Sequence, residues 1–129
     1  MILVESSNRS GVPVQEEAAE ELSRAVLAGE GVRDGELGLA WVGTDEMRTL
    51  KREHLGVDEA TDVLSFPLDG RDELPDGVPR ALGDVVLCPQ VVGEAWRRPL
   101  VHGLLHLLGY DHGDEMEARE AAYSEHAGT

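Results

Sequence analysis

Three of the five histidines in this 129-residue chain fall within eleven consecutive positions. His102 and His106 stand four residues apart, a spacing that places two side chains on the same face of a helix. Gly109 can end that helix with a positive φ, so that the chain turns back and brings His112 to the same place. Three imidazoles occupy three of the four coordination positions of a tetrahedral metal ion and leave the fourth for water. Three protein ligands and one water are the ligand set of a catalytic zinc. The spacing therefore predicts a site for one Zn²⁺ per chain.

The chemistry of such a site depends on what stands beside the ligands. Bound zinc lowers the pKa of its water to about 7 and so supplies hydroxide at neutral pH. The histidine spacing equals that of the zinc-protease pattern H-E-x-x-H-x-x-G-x-x-H, but Gly103 replaces the glutamate that acts there as general base. Glycine cannot accept a proton. A zincin-like metalloprotease is thus an alternative that Gly103 disfavours.

Apolar runs and breaking residues predict the elements that position this cluster. Short apolar runs indicate strands near residues 2–4, 37–41, 62–66 and 84–88. Helical spacing indicates helices over about residues 13–29, 44–54, 90–97 and 100–108, and a last one from 114. Residues 6–11 and 69–80 read as loops. This order predicts an α/β (α+β) fold, a mixed four-stranded sheet packed with about five helices, and a single domain over residues 1–129.

Composition narrows the classes of function. Eleven Lys and Arg against 26 Asp and Glu give a formal net charge of −15, which excludes a generic basic nucleic-acid binder and disfavours docking on anionic lipid. Aromatic residues make up 4% of the chain, too few for stacking platforms that hold single strands. Cys88 has no partner for an internal disulfide, and no signal-peptide or membrane-spanning pattern is present. We therefore expect a cytoplasmic protein without membrane contact.

Three blocks of the chain together resemble the YbeY-type endoribonucleases. They are TDVLSFP at residues 61–67, GDVVL at 83–87 and HGLLHLLGYDH at 102–112. The resemblance implies a zinc-dependent, single-strand-specific endoribonuclease with His102, His106 and His112 as zinc ligands. It also implies a role in 16S rRNA 3′-end maturation and ribosome quality control. The implied partners are the 16S rRNA precursor and the ribosomal subunit or ribosomal proteins, and no DNA is expected.

The chain departs from that family's pattern beside the first block. Leu55 stands six residues before Thr61, where the family usually has an arginine, and Val57 stands where it has a lysine. The role of that arginine does not transfer to this chain, so no catalytic group is assigned beyond the zinc-bound water. Leu55 also keeps open a non-catalytic alternative, a metal-stabilised ribosome-associated factor. The connection between Pro89 and the histidine helix is shorter than in the family, which predicts a trimmed helix before the site.

Other cations must then meet the phosphates of RNA. Arg97 and Arg98 directly precede the histidine helix, and Lys51 and Arg52 lie on the helix before the first block. Such side chains neutralise phosphate, so both pairs are candidate substrate-binding residues that would stabilise charge beside the metal. The alternative is that they are solvated surface residues.

Two aspartates are candidates for orienting an imidazole N–H. Asp111 lies in the turn between two predicted ligands, and Asp84 lies on the last predicted strand. The alternative for an aspartate in a tight turn is local bonding to its own backbone. Thr61 and Ser65 are predicted to be turn and strand residues rather than nucleophiles, because no histidine base pairs with either.

Overall fold

Strands and helices follow one another in the predicted order in the computed structural model, which describes residues 1–127 and the side chains as far as Ser124. The strands are β1 (Ile2–Asn8), β2 (Gly35–Trp41), β3 (Val63–Pro67) and β4 (Ala81–Leu87). The helices are α1 (Glu16–Gly29), α2 (Thr44–Leu55), α3 (Pro89–Val92), α4 (Arg97–Leu107) and α5 (Asp114–Ala127).

The strands form one mixed sheet in the order β1-β2-β4-β3. β1 and β4 both run parallel to β2, whereas β3 runs antiparallel to β4. The parallel pairs need crossovers, which α1 and α2 help to supply. The predicted fold class, a mixed four-stranded α/β sheet with five helices in the described part of the chain, is confirmed.

Helices cover both faces of this sheet. Residues of α1, α4 and α5 form the larger core against one face, where Leu39, Val85 and Leu104 are fully or almost fully buried. A smaller cluster on the other face joins Met47 of α2 to Val86 of β4. Neighbouring residues of β4 enter different clusters because successive side chains of a strand point to opposite faces.

Several boundaries differ from the sequence-based expectation. β1 continues through Asn8, although residues 6–11 were expected to form a loop, because residues 6–8 pair in register with residues 39–41 of β2. α3 ends at Val92 rather than near residue 97, and α4 begins at Arg97 rather than near residue 100. The long segment from 69 to 80 lies between β3 and β4 without a helix or strand, as predicted.

No helix within residues 1–127 combines the length and the apolar character that crossing a bilayer requires.

Candidate metal centre

The three clustered histidines meet at one point of the structure. The Nε2 atoms of His102 and His106 lie 3.0 Å apart, and the His112 ring centroid lies 5.1 and 4.8 Å from those of the other two rings. Each ring offers one nitrogen such that all three atoms lie within 4.8 Å of one another. The three side chains are therefore positioned to bind one metal ion.

The sequence around α4 explains why the rings converge. Leu100, Leu104 and Leu105 are fully buried in the core, so the histidine face of α4 is turned away from it. The helix ends in a glycine cap: Gly109, at φ 95°, donates to the His106 carbonyl, and the Tyr110 N–H donates to the Leu105 carbonyl. That reversal returns the chain toward His106, as the sequence predicted.

Two groups outside the cluster hold the rings in orientation. The Nδ1 of His102 lies 3.0 Å from Oε2 of Glu120 on α5, and the Nδ1 of His106 lies 2.9 Å from the carbonyl oxygen of Tyr110. Protons on these Nδ1 atoms donate to the two oxygens, which leaves the Nε2 lone pairs available for a metal. The arrangement selects one tautomer for each of the two rings.

Burial lowers the pKa of His106, and the neighbouring His102 lowers it further, while the bond to the Tyr110 carbonyl acts in the opposite direction. The net shift is downward, so the His106 ring is neutral near pH 7. Neutral imidazole is the form that binds metal ions.

Gly103 lies where α4 packs closely on the sheet. A Cβ at this position would stand 2.8 Å from Cγ1 of Val85 and 3.2 Å from Cγ2 of Val63. The Ser65 hydroxyl donates to the Gly103 carbonyl at 3.1 Å, which ties β3 to the helix. The position that carries the general base in zinc proteases therefore faces the strands, with no room for a glutamate side chain. Ser65 acts as a strand residue here, as expected.

The cluster opens into a cleft of about 850 Å³. The walls of the cleft include the apolar side chains of Leu55, which is 61% exposed, and Pro67. They also include the charged side chains of Arg98 and Glu120. Asp111 also lines the cleft. Leu55 thus stands on the wall of the site itself.

The four predicted cationic contacts are not placed together. Arg98 lines the cleft and donates from Nε to Glu120 at 3.1 Å. Arg97 lies over the Trp96 ring, 4.5 Å from its centroid, and is not among the residues that line the cleft. Lys51 and Arg52 do not line it either, and Lys51 pairs with Glu59 at 2.8 Å.

The predicted orienting aspartates differ in the same way. Asp111 borders the cleft, but no hydrogen bond within the described side chains joins it to an imidazole. Asp84 points to the opposite face of the sheet, where its carboxylate lies over Gly38, so its expected contact with an imidazole is wrong.

Sequence reasoning missed Glu120, the residue whose carboxylate orients His102. Its acidic side chain, on the helix after His112, can accept a hydrogen bond from an imidazole N–H, but the sequence does not set it apart from the other acidic residues of that helix.

An α/β fold that gathers three imidazoles at the end of a cleft defines a candidate metalloprotein. The family model described as "Endoribonuclease YbeY" matches residues 4–127, and the chain belongs to this family. The resemblance carried by the three sequence blocks is thereby confirmed.

Individual relatives agree with this assignment. The chain is 36% identical to "Endoribonuclease YbeY" of Mycobacterium ulcerans, over 91% of this chain and 75% of the relative. It is 37% identical to the protein of the same name from Rhodococcus opacus, over 91% of this chain and 74% of the relative. A Thermotoga maritima protein solved in solution is similar in structure, with a TM-score of 0.60 and 27% identity over 98% of this chain and 89% of that chain.

Proposed function

We propose that this protein is a zinc-dependent endoribonuclease that cleaves single-stranded RNA in the cytoplasm. We further propose that it acts in 16S rRNA 3′-end maturation and ribosome quality control. The observation that carries the proposal is the cluster of three imidazole nitrogens within 4.8 Å of one another at the cleft. The curated relatives named "Endoribonuclease YbeY" supply the substrate class.

The donor set fits zinc. Three imidazoles with an open fourth position are a known catalytic zinc set, and imidazole suits zinc better than it suits magnesium or calcium. Two nitrogens on one tetrahedral zinc lie about 3.3 Å apart, given Zn–N bonds of about 2.0–2.1 Å. The 3.0 Å between the His102 and His106 Nε2 atoms is close to that spacing. When bound, zinc acts as a Lewis acid that makes water more acidic and stabilises negative charge on phosphate.

The remaining tasks belong to side chains of the cleft. Glu120 and the Tyr110 carbonyl fix the rings of His102 and His106, so that the site is organised before substrate enters. Arg98 is half exposed and engages Glu120 through Nε, and its two terminal amino groups have no hydrogen-bond partner among the described residues. Those amino groups are suited to donate to a phosphate of the RNA backbone.

The charge of the chain shapes how RNA is reached. A net charge of −15 repels a polyanion at long range, and a single arginine on the cleft wall cannot reverse that field. Recruitment through the ribosomal subunit or ribosomal proteins would bring RNA to the cleft without electrostatic steering. For this reason we propose a ribosomal partner.

One observation favours a second candidate, a non-catalytic, metal-stabilised ribosome-associated factor. Leu55 occupies the cleft wall with an apolar side chain where the family usually has an arginine. The protease alternative has no such support, since Gly103 is packed against Val85 and Val63.

Cleavage assays on RNA and on casein distinguish the three candidates. Single-stranded RNA should be cut by the metal-loaded protein, not by the chelated protein, and not by the His106→Ala variant. Double-stranded RNA and casein serve as controls that should stay intact. RNA left intact by zinc-loaded wild-type protein would instead favour the non-catalytic factor, and chelator-sensitive casein cleavage would favour the protease.

A further inference from the structure

We infer that Glu30 is a positioning residue of the metal centre, acting through Tyr110. Glu30 directly follows α1 and forms no hydrogen bond with His102, His106 or His112. It holds the turn that carries both His112 and the carbonyl that orients His106. The inference rests on the proposed function, because it assigns a role toward a metal held by these histidines.

The carboxylate of Glu30 is the meeting point of four donors. Its side chain is only 1% exposed. Oε1 accepts from the Tyr110 hydroxyl at 2.6 Å and from Arg71 at 3.0 Å. Oε2 accepts from the Tyr123 hydroxyl at 2.6 Å and from Arg119 at 2.7 Å. Hydrogen bonds to an ionised carboxylate are shorter and stronger than neutral ones, so the Glu30 carboxylate holds its four partners firmly in place.

The charge state of Glu30 fits that role. Burial by itself raises the pKa of the carboxyl, but the hydrogen bonds from Tyr110 and Tyr123 and the charge of Arg119 outweigh burial and leave the pKa below its ordinary value. The group is therefore an anion at neutral pH and accepts all four bonds. A buried carboxylate without these donors would be costly.

Tyr110 connects the Glu30 carboxylate to the metal centre. Its hydroxyl donates to Glu30, while its backbone carbonyl accepts from the Nδ1 of His106 at 2.9 Å. His112 follows two residues later, and glycines at 109 and 113 flank the turn. Glycine has more backbone freedom than any other residue, so this turn needs an outside attachment to hold its place. The hydrogen bond from the Tyr110 hydroxyl to Glu30 provides that attachment.

The two tyrosines offer a matched pair for the test. Tyr110 and Tyr123 both donate to Glu30 at 2.6 Å, but Tyr123 stands on α5 and, unlike Tyr110, forms no hydrogen bond with an imidazole among the described side chains. Changing either one to Phe removes one hydroxyl and one bond to the same carboxylate. A purely structural role for Glu30 predicts that the two changes have equal effects, whereas a positioning role predicts that they differ.

The experiment measures Zn²⁺ affinity by competition with a chromophoric chelator, and the visible spectrum of the Co²⁺-loaded protein. We expect Tyr110→Phe to weaken Zn²⁺ binding about tenfold, as loss of groups that orient ligands generally does, and to change the Co²⁺ spectrum. Tyr123→Phe should stay within about twofold of the wild type and keep its spectrum. Melting temperatures recorded for both variants give the loss of stability separately.

Each outcome decides a different point. Equal affinities and equal spectra for the two variants would overturn the positioning role while leaving the metal centre intact. A wild-type protein that binds neither Zn²⁺ nor Co²⁺ would overturn the proposed metal centre and this inference together. Glu30→Gln adds a further check, because its amide oxygen still accepts a bond and should preserve more Zn²⁺ affinity than Glu30→Ala does.

Discussion

The Nε2 atoms of His102 and His106 face each other at 3.0 Å across one turn of α4, with both Nδ1 atoms engaged elsewhere. This relationship predicts that purified protein holds about one zinc ion per chain. Changing His106 to Ala leaves two imidazoles, which cannot complete the ligand set, so the variant should lose most of its metal. Elemental analysis of protein purified without chelator measures both values.

His54 supplies the control for that experiment. It is an exposed histidine at the end of α2 whose ring lies 4.7 Å from that of Phe66, on the sheet face opposite the metal centre. His54→Ala should therefore keep the wild-type zinc content. Full occupancy in His106→Ala would refute its assignment as a ligand.

Metal binding should weaken as the pH falls. Protons compete with zinc for imidazoles, whose ordinary pKa is near 6.5. The pKa of His106 is lowered in the folded chain, so the unfolded chain binds more protons below about pH 6.5. Stability from this group is thus present above about pH 6.5 and is lost as the pH falls toward the folded pKa. The rise in melting temperature on adding zinc should shrink between pH 7 and pH 5, and a constant rise would contradict competition by protons.

The sequence predicted the elements that local patterns encode. The i, i+4 histidines, the glycine that ends their helix and the alternating strand around Leu39 all depend on neighbours within a few positions. The same local reasoning predicted a β1 that was too short. Residues 6–8 are two serines and an asparagine, which are typical of loops, and they form a strand only because they pair with β2. Strand pairing is a tertiary effect that composition does not reveal.

The two carboxylates that support the site, Glu120 and Glu30, could not be predicted from local sequence patterns. Glu120 is 18 positions from His102, and Glu30 is 80 positions from Tyr110. Both lie among many other acidic residues in a chain with 26 of them. Only the packing of α5 and of the end of α1 against the histidine helix selects these two carboxylates.

Gly103 should tolerate no larger side chain. In Gly103→Ala the new Cβ meets Val85 and Val63, and overpacking of this kind costs about 1–3 kcal/mol, against a gain of about 1 kcal/mol for alanine in a helix. We expect a net loss of up to about 2 kcal/mol in the free energy of unfolding, measured by urea denaturation. Gly103→Glu, which restores the protease pattern, should fail to fold and should not cleave casein.

A second change at Val85 tests the cause of that loss. Val85→Ala removes the methyl group nearest to the new Cβ, so Gly103→Ala should cost less in that background than in the wild type. Additive effects of the two changes would mean that crowding against Val85 is not the reason.

The last prediction separates two neighbouring arginines in RNA binding. Arg98 lines the cleft beside His102 and Glu120, whereas Arg97 lies over Trp96 outside the residues that line it. If a phosphate of the substrate meets Arg98, Arg98→Ala should weaken RNA binding and cleavage, and Arg97→Ala should not. A lost phosphate contact also lowers the salt slope of log affinity by about 0.7 for a single strand, which binding titrations at several salt concentrations measure.

Zinc content serves as the internal check on that comparison. Glu120 keeps its own bond to His102 when Arg98 is removed, so the Arg98→Ala variant should hold as much zinc as the wild type. A weaker activity then reports on the substrate rather than on the metal. The double change of Lys51 and Arg52 to Ala, both outside the cleft, should behave like Arg97→Ala. If Arg97→Ala, Arg98→Ala and this double variant all cleave RNA as the wild type does, neither cationic pair contributes a contact that cleavage of the substrate requires.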